Sequence, residues 1–253
     1  MFPLKDNIPT DRAPVVTIAL IFANLIAYFV WQKGGISLGS PSSCDYVRHL
    51  LEYGLVPREI TDPSFQLTGD IGSGCGAIGE DQPSSWLTPL TATFMHGGLL
   101  HLGGNMLFLW IFGNNVEDSM GSVRYLLFYL LAGAAAFGLQ IAIDPSSEIP
   151  NIGASGAVAG VLGGYILLYP RARVLTFIFI IFFFTVLELP AFLVLGLWFA
   201  QQIFFGAAGL TQGGGEGGGV AYFAHIGGFA FGLLAIKLFA RRVKDVPPRL
   251  RVF

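Results

Sequence analysis

The stretch Asn151-Ile-Gly-Ala-Ser155-Gly-Ala-Val-Ala-Gly160-Val-Leu-Gly-Gly-Tyr165-Ile-Leu-Leu168 carries no charged residue. Gly156, Gly160 and Gly164 recur every fourth position, so on a helix they share one face. Small residues at that spacing let a second backbone come close, which is how helices pack inside a bilayer. The apolar run begins near Ser155 and ends before Tyr169-Pro170-Arg171. Gly228 and Gly232 repeat the spacing in a later apolar run.

The rest of the chain agrees with a membrane reading. Of its 253 residues, 12% are charged and 53% hydrophobic, against about 25% charged in soluble domains. Mean hydropathy is +0.65. A water-soluble domain is not expected and a disordered chain is excluded. The net charge of −2 gives no basic field, so no nucleic-acid partner is expected. The 34 glycines and 23 phenylalanines suit helices that pack closely and face lipid.

A helical crossing takes about 20 apolar residues. The expected spans are Ala13–Gln32, Phe94–Gly113, Tyr125–Ile143, the run starting at Ser155, Leu189–Gly206 and Tyr222–Ala240. The first ends in Tyr28-Phe29-Val30-Trp31 without a small-residue cleavage site, so it reads as a retained anchor. Residues 33–85 form a long polar loop outside the cytoplasm, and Leu175–Val186 reads as a membrane-dipping or interfacial segment. The count rests on Lys and Arg. One crossing within Val174–Phe205 puts Lys5, Arg12, Arg124, Arg171, Arg173 and the Arg241-Arg242-Val243-Lys244 group on the cytoplasmic side. Two crossings would strand that last group outside. The expected fold is therefore an all-α polytopic membrane protein, a bundle of six transmembrane helices. Residues 1–12 form a cytoplasmic N-terminus, 13–240 the membrane domain and 241–253 a basic cytoplasmic tail.

Polar groups inside spans are costly, so each is a candidate for function. They are Asn24, His96, His101, Asn105, Ser155, Glu188, Gln201, Gln202 and His225. Ser155 sits at a helix start, where free N–H groups and the dipole favour an oxyanion. Gly153 and Gly156 beside it allow close backbone approach. The plain alternative is a helix cap. His225 lies at matching depth in the last span, and glycine spacing can bring the two helices together. It could then serve Ser155 as general base; the alternative is a buried histidine bonded to a neighbouring helix. His101 and Asn105 share a face and offer donors to an oxyanion; interhelical hydrogen bonding is the alternative. His96, five residues before His101, points elsewhere and orders the loop. His49 reads as a surface residue. Glu117 and Asp118 fall at the far end of their span, Glu216 in the Thr211–Gly219 loop, and Glu188 is unplaced. A Ser–His dyad without an acid is expected.

These residues resemble the rhomboid family of intramembrane serine proteases over about Trp86–Lys237. The resemblance is carried by Phe94-Met-His-Gly-Gly-Leu-Leu-His101-Leu-Gly-Gly-Asn105, Gly113-Asn-Asn-Val-Glu117, Gly153-Ala-Ser-Gly156 and Ala224-His-Ile-Gly-Gly228. It implies hydrolysis of peptide bonds in or near transmembrane helices, with the lipid bilayer as medium and membrane proteins as substrates. Ser155 matches the nucleophile and His225 the base. His101 and Asn105 match side chains lining the oxyanion hole, His96 has a supporting role, and Glu117 is a structural acid. It implies no metal or cofactor. The Thr211–Gly219 loop falls where the family has a cap, and the fifth span where it has a lateral gate. Ala159 departs from the family, which often has an aromatic residue there beneath the histidine. The loop over 33–85 holds Cys44 and Cys75. Its extracytoplasmic setting permits a disulfide; two free thiols are the alternative.

Other classes fit less well. A soluble hydrolase would need Gly-x-Ser-x-Gly on a strand–turn–helix elbow, and Ala157 takes the last glycine position. A metal or proton transporter could use His96, His101 and His225, but no carboxylate accompanies them. A non-catalytic rhomboid relative that binds transmembrane helices need not keep both Ser155 and His225.

Overall fold

The computed structural model describes residues 2–72, 74–79, 82–180, 183–211 and 220–246. It is mostly helical. A short strand, β1 (Phe2–Asp6), precedes helix α1 (Val15–Ile26), which widens into a π turn over Ala27–Trp31. The polar loop that follows is folded. It contains α2 (Cys44–Tyr53), α3 (Pro57–Thr61) and a small ribbon of β2 (Gly69–Asp70) and β3 (Ala77–Ile78). Cys44 and Cys75 are joined by a disulfide across this loop. Next come α4 (Thr88–Phe94), α5 (Leu99–Phe108), a π turn over Leu109–Gly113, and α6 (Asn114–Met120). The bundle is completed by α7 (Ser122–Ile143), α8 (Ser155–Leu168), the strands β4 (Arg173–Ile180) and β5 (Phe183–Pro190), α9 (Ala191–Thr211) and α10 (Tyr222–Phe239).

Among the described residues, three helices are long and apolar enough to cross a membrane: Ser122–Ile143, Ala191–Leu210 and Tyr222–Phe239. Val15–Trp31 and Ser155–Leu168 are shorter apolar helices. The span expected from Phe94 begins instead at Leu99. The chain turns sharply at Gly98, which has φ +149° and lies against the Gly39 carbonyl oxygen, 2.2 Å from where a Cβ would stand.

The all-α expectation is corrected by a three-stranded sheet in the order β1-β4-β5. Of Leu175–Val186, expected to dip into the membrane or lie at its interface, the described residues belong to β4 and β5, which pair antiparallel with Thr176 opposite Leu187. Strand β1 adds to the other side of β4, with Phe2 opposite Phe177 and Asp6 opposite Val174. The run is rich in β-branched and aromatic residues, which suit a pleated surface. Pro190, which has no N–H to donate, closes the edge strand.

Helix α8 is the axis of the molecule, with Gly156 through Tyr165 buried. Helix α10 lies directly on it. A Cβ on Gly228 would stand 1.9 Å from the Gly156 carbonyl oxygen, and one on Gly232 2.0 Å from that of Gly160. Helix α7 closes the other side, where a Cβ on Gly160 would stand 2.3 Å from Ala132 Cβ. Outward-facing Phe22, Leu127, Phe204, Leu234 and Leu238 are exposed. Such an apolar surface suits lipid rather than water.

Candidate active site

Ser155 is the first residue of α8, and the glycine stripe brings the start of α10 beside it. His225 Nε2 lies 2.8 Å from Ser155 Oγ. The first turn of α10 is held by α7, because the Ala224 N–H donates to Gln140 Oε1 at 3.2 Å. The segment before Ser155 is fixed from the folded loop. Leu55 and Asn151 exchange backbone hydrogen bonds of 3.0 and 2.7 Å, and the Gly153 N–H donates to the Ala92 carbonyl at 2.9 Å.

Gly153 has φ +129°, a conformation that glycine adopts most easily. A Cβ there would stand 2.9 Å from His101 Nε2 and 3.4 Å from Ser155 Oγ. The imidazole of His101 and the serine oxygen therefore border the same narrow space. The Gly97 N–H donates to His101 Nδ1 at 3.2 Å, which leaves Nε2 as the protonated, donating nitrogen.

Asn105 shares the face of His101, but its amide nitrogen lies 3.0 Å from His96 Nε2. The rings of His96 and His101 meet edge-on with centroids 5.1 Å apart. His96 thus joins the cluster, whereas its spacing from His101 predicts that it points elsewhere. Spacing along a helix does not apply to this pair, because the chain from Met95 to Gly98 is irregular. The buried Gln32 fixes the His96 backbone. Its Nε2 donates to the His96 carbonyl at 3.0 Å, and its Oε1 accepts from the His96 N–H at 2.9 Å. The Tyr46 hydroxyl donates to the same carbonyl at 3.1 Å.

His225 has a second hydrogen-bonding neighbour. Its Nδ1 lies 2.8 Å from Gln202 Oε1 on α9. The Trp198 ring stands beside the imidazole, with centroids 5.7 Å apart. Glu188 is in β5, opposite Leu175. Glu117 is at the far end of the bundle, where it accepts from the Val16 and Thr17 N–H groups. Glu216 and residues 212–219 of the glycine-rich loop lie outside the described residues. No group of three or more His, Cys, Asp or Glu side chains is placed to hold a metal ion among the described residues.

Gln32, Gln140, Gln202 and Trp198 had no assigned role from sequence. Gln202 and Gln140 each carried a signal, as costly polar groups within apolar runs, and only Gln202 was counted among the candidates. His49 is not a plain surface residue: it is half-buried and packs against the paired rings of Trp31 and Tyr53, at 5.4 and 5.8 Å.

A family model described as the rhomboid domain matches residues 83–242. The chain is 30% identical over 161 residues to "Rhomboid protein 1, mitochondrial" of Saccharomyces cerevisiae, covering 61% of this chain and 42% of that protein. It is 30% identical over 160 residues to "Rhomboid-like protein 11, chloroplastic" of Arabidopsis thaliana, covering 62% and 54%. It is 45% identical over 78 residues to "Rhomboid protease GluP" of Bacillus subtilis, covering 31% and 15%. The matches therefore span about half or less of the length of these relatives.

Proposed function

The chain belongs to the rhomboid family, and on that premise we propose that it is an intramembrane serine endopeptidase. The reading is carried by Ser155 Oγ lying 2.8 Å from His225 Nε2 at the start of a buried, apolar helix. Its substrates are membrane proteins cut in or near a transmembrane helix. In this reading the chain crosses the bilayer six times, with both termini cytoplasmic and the serine opening to the opposite side.

The chemistry follows from the positions of the groups. His225 Nε2 takes the Ser155 proton as Oγ attacks the scissile carbonyl carbon. The resulting oxyanion is stabilised by the first-turn N–H groups of α8 and by His101 Nε2–H. Asn105 holds His96, whose ring packs against His101; Gly153 keeps the space clear, and Gly156 lets α7 and α10 close on α8. The imidazolium then gives its proton to the leaving amine, which departs as the C–N bond breaks. Water, deprotonated by His225, attacks the acyl-serine ester; as the acyl C–Oγ bond breaks, the imidazolium returns its proton to Ser155 Oγ and the new carboxylic acid leaves.

The test is cleavage of a transmembrane substrate, with small, helix-breaking residues near one end, by detergent-solubilised protein. Ser155→Ala and His225→Ala should each abolish cleavage, and EDTA should leave it unchanged. Full activity in Ser155→Ala would overturn the proposal. A wild-type protein that binds such helices without cutting them would favour the non-catalytic reading.

A further inference from the structure

Gln202 is 5% exposed and is held at both ends of its amide. Its Nε2 donates to the Trp198 carbonyl one turn earlier on α9, at 3.1 Å. With the nitrogen so placed, the atom 2.8 Å from His225 Nδ1 is Oε1. A carbonyl oxygen can only accept, so Nδ1 must carry the proton. His225 Nε2 is then left with a free lone pair, directed at the Ser155 hydroxyl 2.8 Å away. In the opposite tautomer Nε2 would carry the proton and could not accept one from serine. The ring is steadied from the same helix, with Trp198 inclined 35° to the imidazole. On α8 the corresponding aromatic is missing, because Ala159 is small and buried.

We propose that Gln202 is the positioning residue that fixes the tautomer and ring orientation of His225, and that α9 supplies both the acceptor and the aromatic wall that hold the base. The inference rests on the proposed protease reading and names a role within it. A neutral acceptor sets the tautomer as an acidic third member of a triad does. It does so without placing a carboxylate in an apolar interior, where a charge is costly. The arrangement also ties the base to α9, so a displacement of α9 away from α10 would remove the acceptor.

The test uses the full chain in detergent micelles with ¹⁵N-labelled histidine. His225 signals are assigned by their loss in His225→Ala. In the wild type, at a pH above the imidazole range, the spectrum should report the Nδ1–H tautomer. Gln202→Met keeps the length but removes the acceptor. It should move the spectrum toward Nε2–H and lower kcat by about 10²-fold, the low end of what general-base catalysis contributes, with KM nearly unchanged. Gln202→Glu restores an acceptor and should recover most of the tautomer signal and part of kcat. An Nε2–H tautomer in the wild type overturns the proposal, whether or not Gln202→Met folds. So does a loss of kcat in Gln202→Met with an unchanged tautomer. If the wild type cleaves nothing, the protease reading fails, while the tautomer measurement still decides what Gln202 does.

Discussion

Gly228 lies so near Gly156 that an added Cβ would overlap a backbone oxygen, which no rotamer change can relieve. Gly228→Ala should therefore push α10 off α8 and lengthen the Ser155–His225 contact. A displacement of about 1 Å at reacting atoms can cost roughly 10²-fold in rate. Cleavage should fall by at least that factor, while Gly196→Ala on α9, where a Cβ would meet nothing within 4 Å, should cleave normally. Equal activity in the two variants would remove the glycine stripe from the argument. These glycines were legible in the sequence because their period is that of a helix face. Ser155 and His225 were legible because a polar group in an apolar span needs a reason. The contact between His225 and Gln202 was not, since it joins residues on two helices whose relative rotation no local pattern encodes. Nor could His49 be placed, because its aromatic neighbour Trp31 lies in another element.

Helix α1 starts without a side-chain cap of its own. Its first-turn donors are satisfied from across the molecule. Glu117 on α6 accepts from the Val16 N–H at 3.0 Å, the Thr17 N–H at 2.8 Å and the Thr17 hydroxyl at 2.8 Å. The Ser122 hydroxyl adds a fourth bond at 2.6 Å. The carboxylate thus sits at the positive end of the α1 dipole while 2% exposed. Glu117→Ala should leave several buried donors unpaired at about 1–3 kcal/mol each. It should lower the thermal midpoint far more than Glu117→Gln, which keeps an acceptor; equal shifts would mean the cap contributes little. Helices such as this one could be read from hydropathy and length alone. The pairing of β4 and β5 could not. A short, continuous apolar run reads equally as buried strand or helix, and its third strand comes from the first residues of the chain. Its β-branched and aromatic content was the available signal, set aside by the reading of Leu175–Val186 as a membrane-dipping or interfacial segment.

At the scale of the molecule, the two ends are braced in different ways. The end bearing Ser155 is covered by the disulfide-closed loop, whose Leu55 pairs with Asn151. Closing a loop with a sequence separation of 31 residues constrains the unfolded chain by about 3–4 kcal/mol. Reduction, or Cys75→Ser, should therefore lower the midpoint of thermal unfolding, and an unchanged midpoint would show the loop to be self-supporting. The other end is a polar clamp that joins Asp11 and Asp118 to Arg242 and Lys244. Lys244 and Arg242 both pair with buried Asp118 and reach exposed Asp11. Burial works to raise the Asp118 carboxyl, but hydrogen bonds from Lys244, the Asp11 N–H and Arg242 prevail and hold it below its ordinary range. Among the described residues, Asp6 pairs with no such cation. It accepts from the Tyr165 hydroxyl at 2.5 Å and from Asn115 Nδ2 at 2.7 Å. Burial prevails over these bonds and lifts its carboxyl from 3.8 to about 6. The folded state therefore favours the protonated acid. That advantage is complete below the unfolded value and is lost as pH rises through the folded one, a change on the order of 3 kcal/mol. Asp6→Asn cannot titrate. The midpoint of the variant minus that of the wild type should therefore climb between roughly pH 4 and 6.5 and then level off. A difference that stays flat across that window would mean that Asp6 ionises in the folded protein as freely as in the unfolded chain.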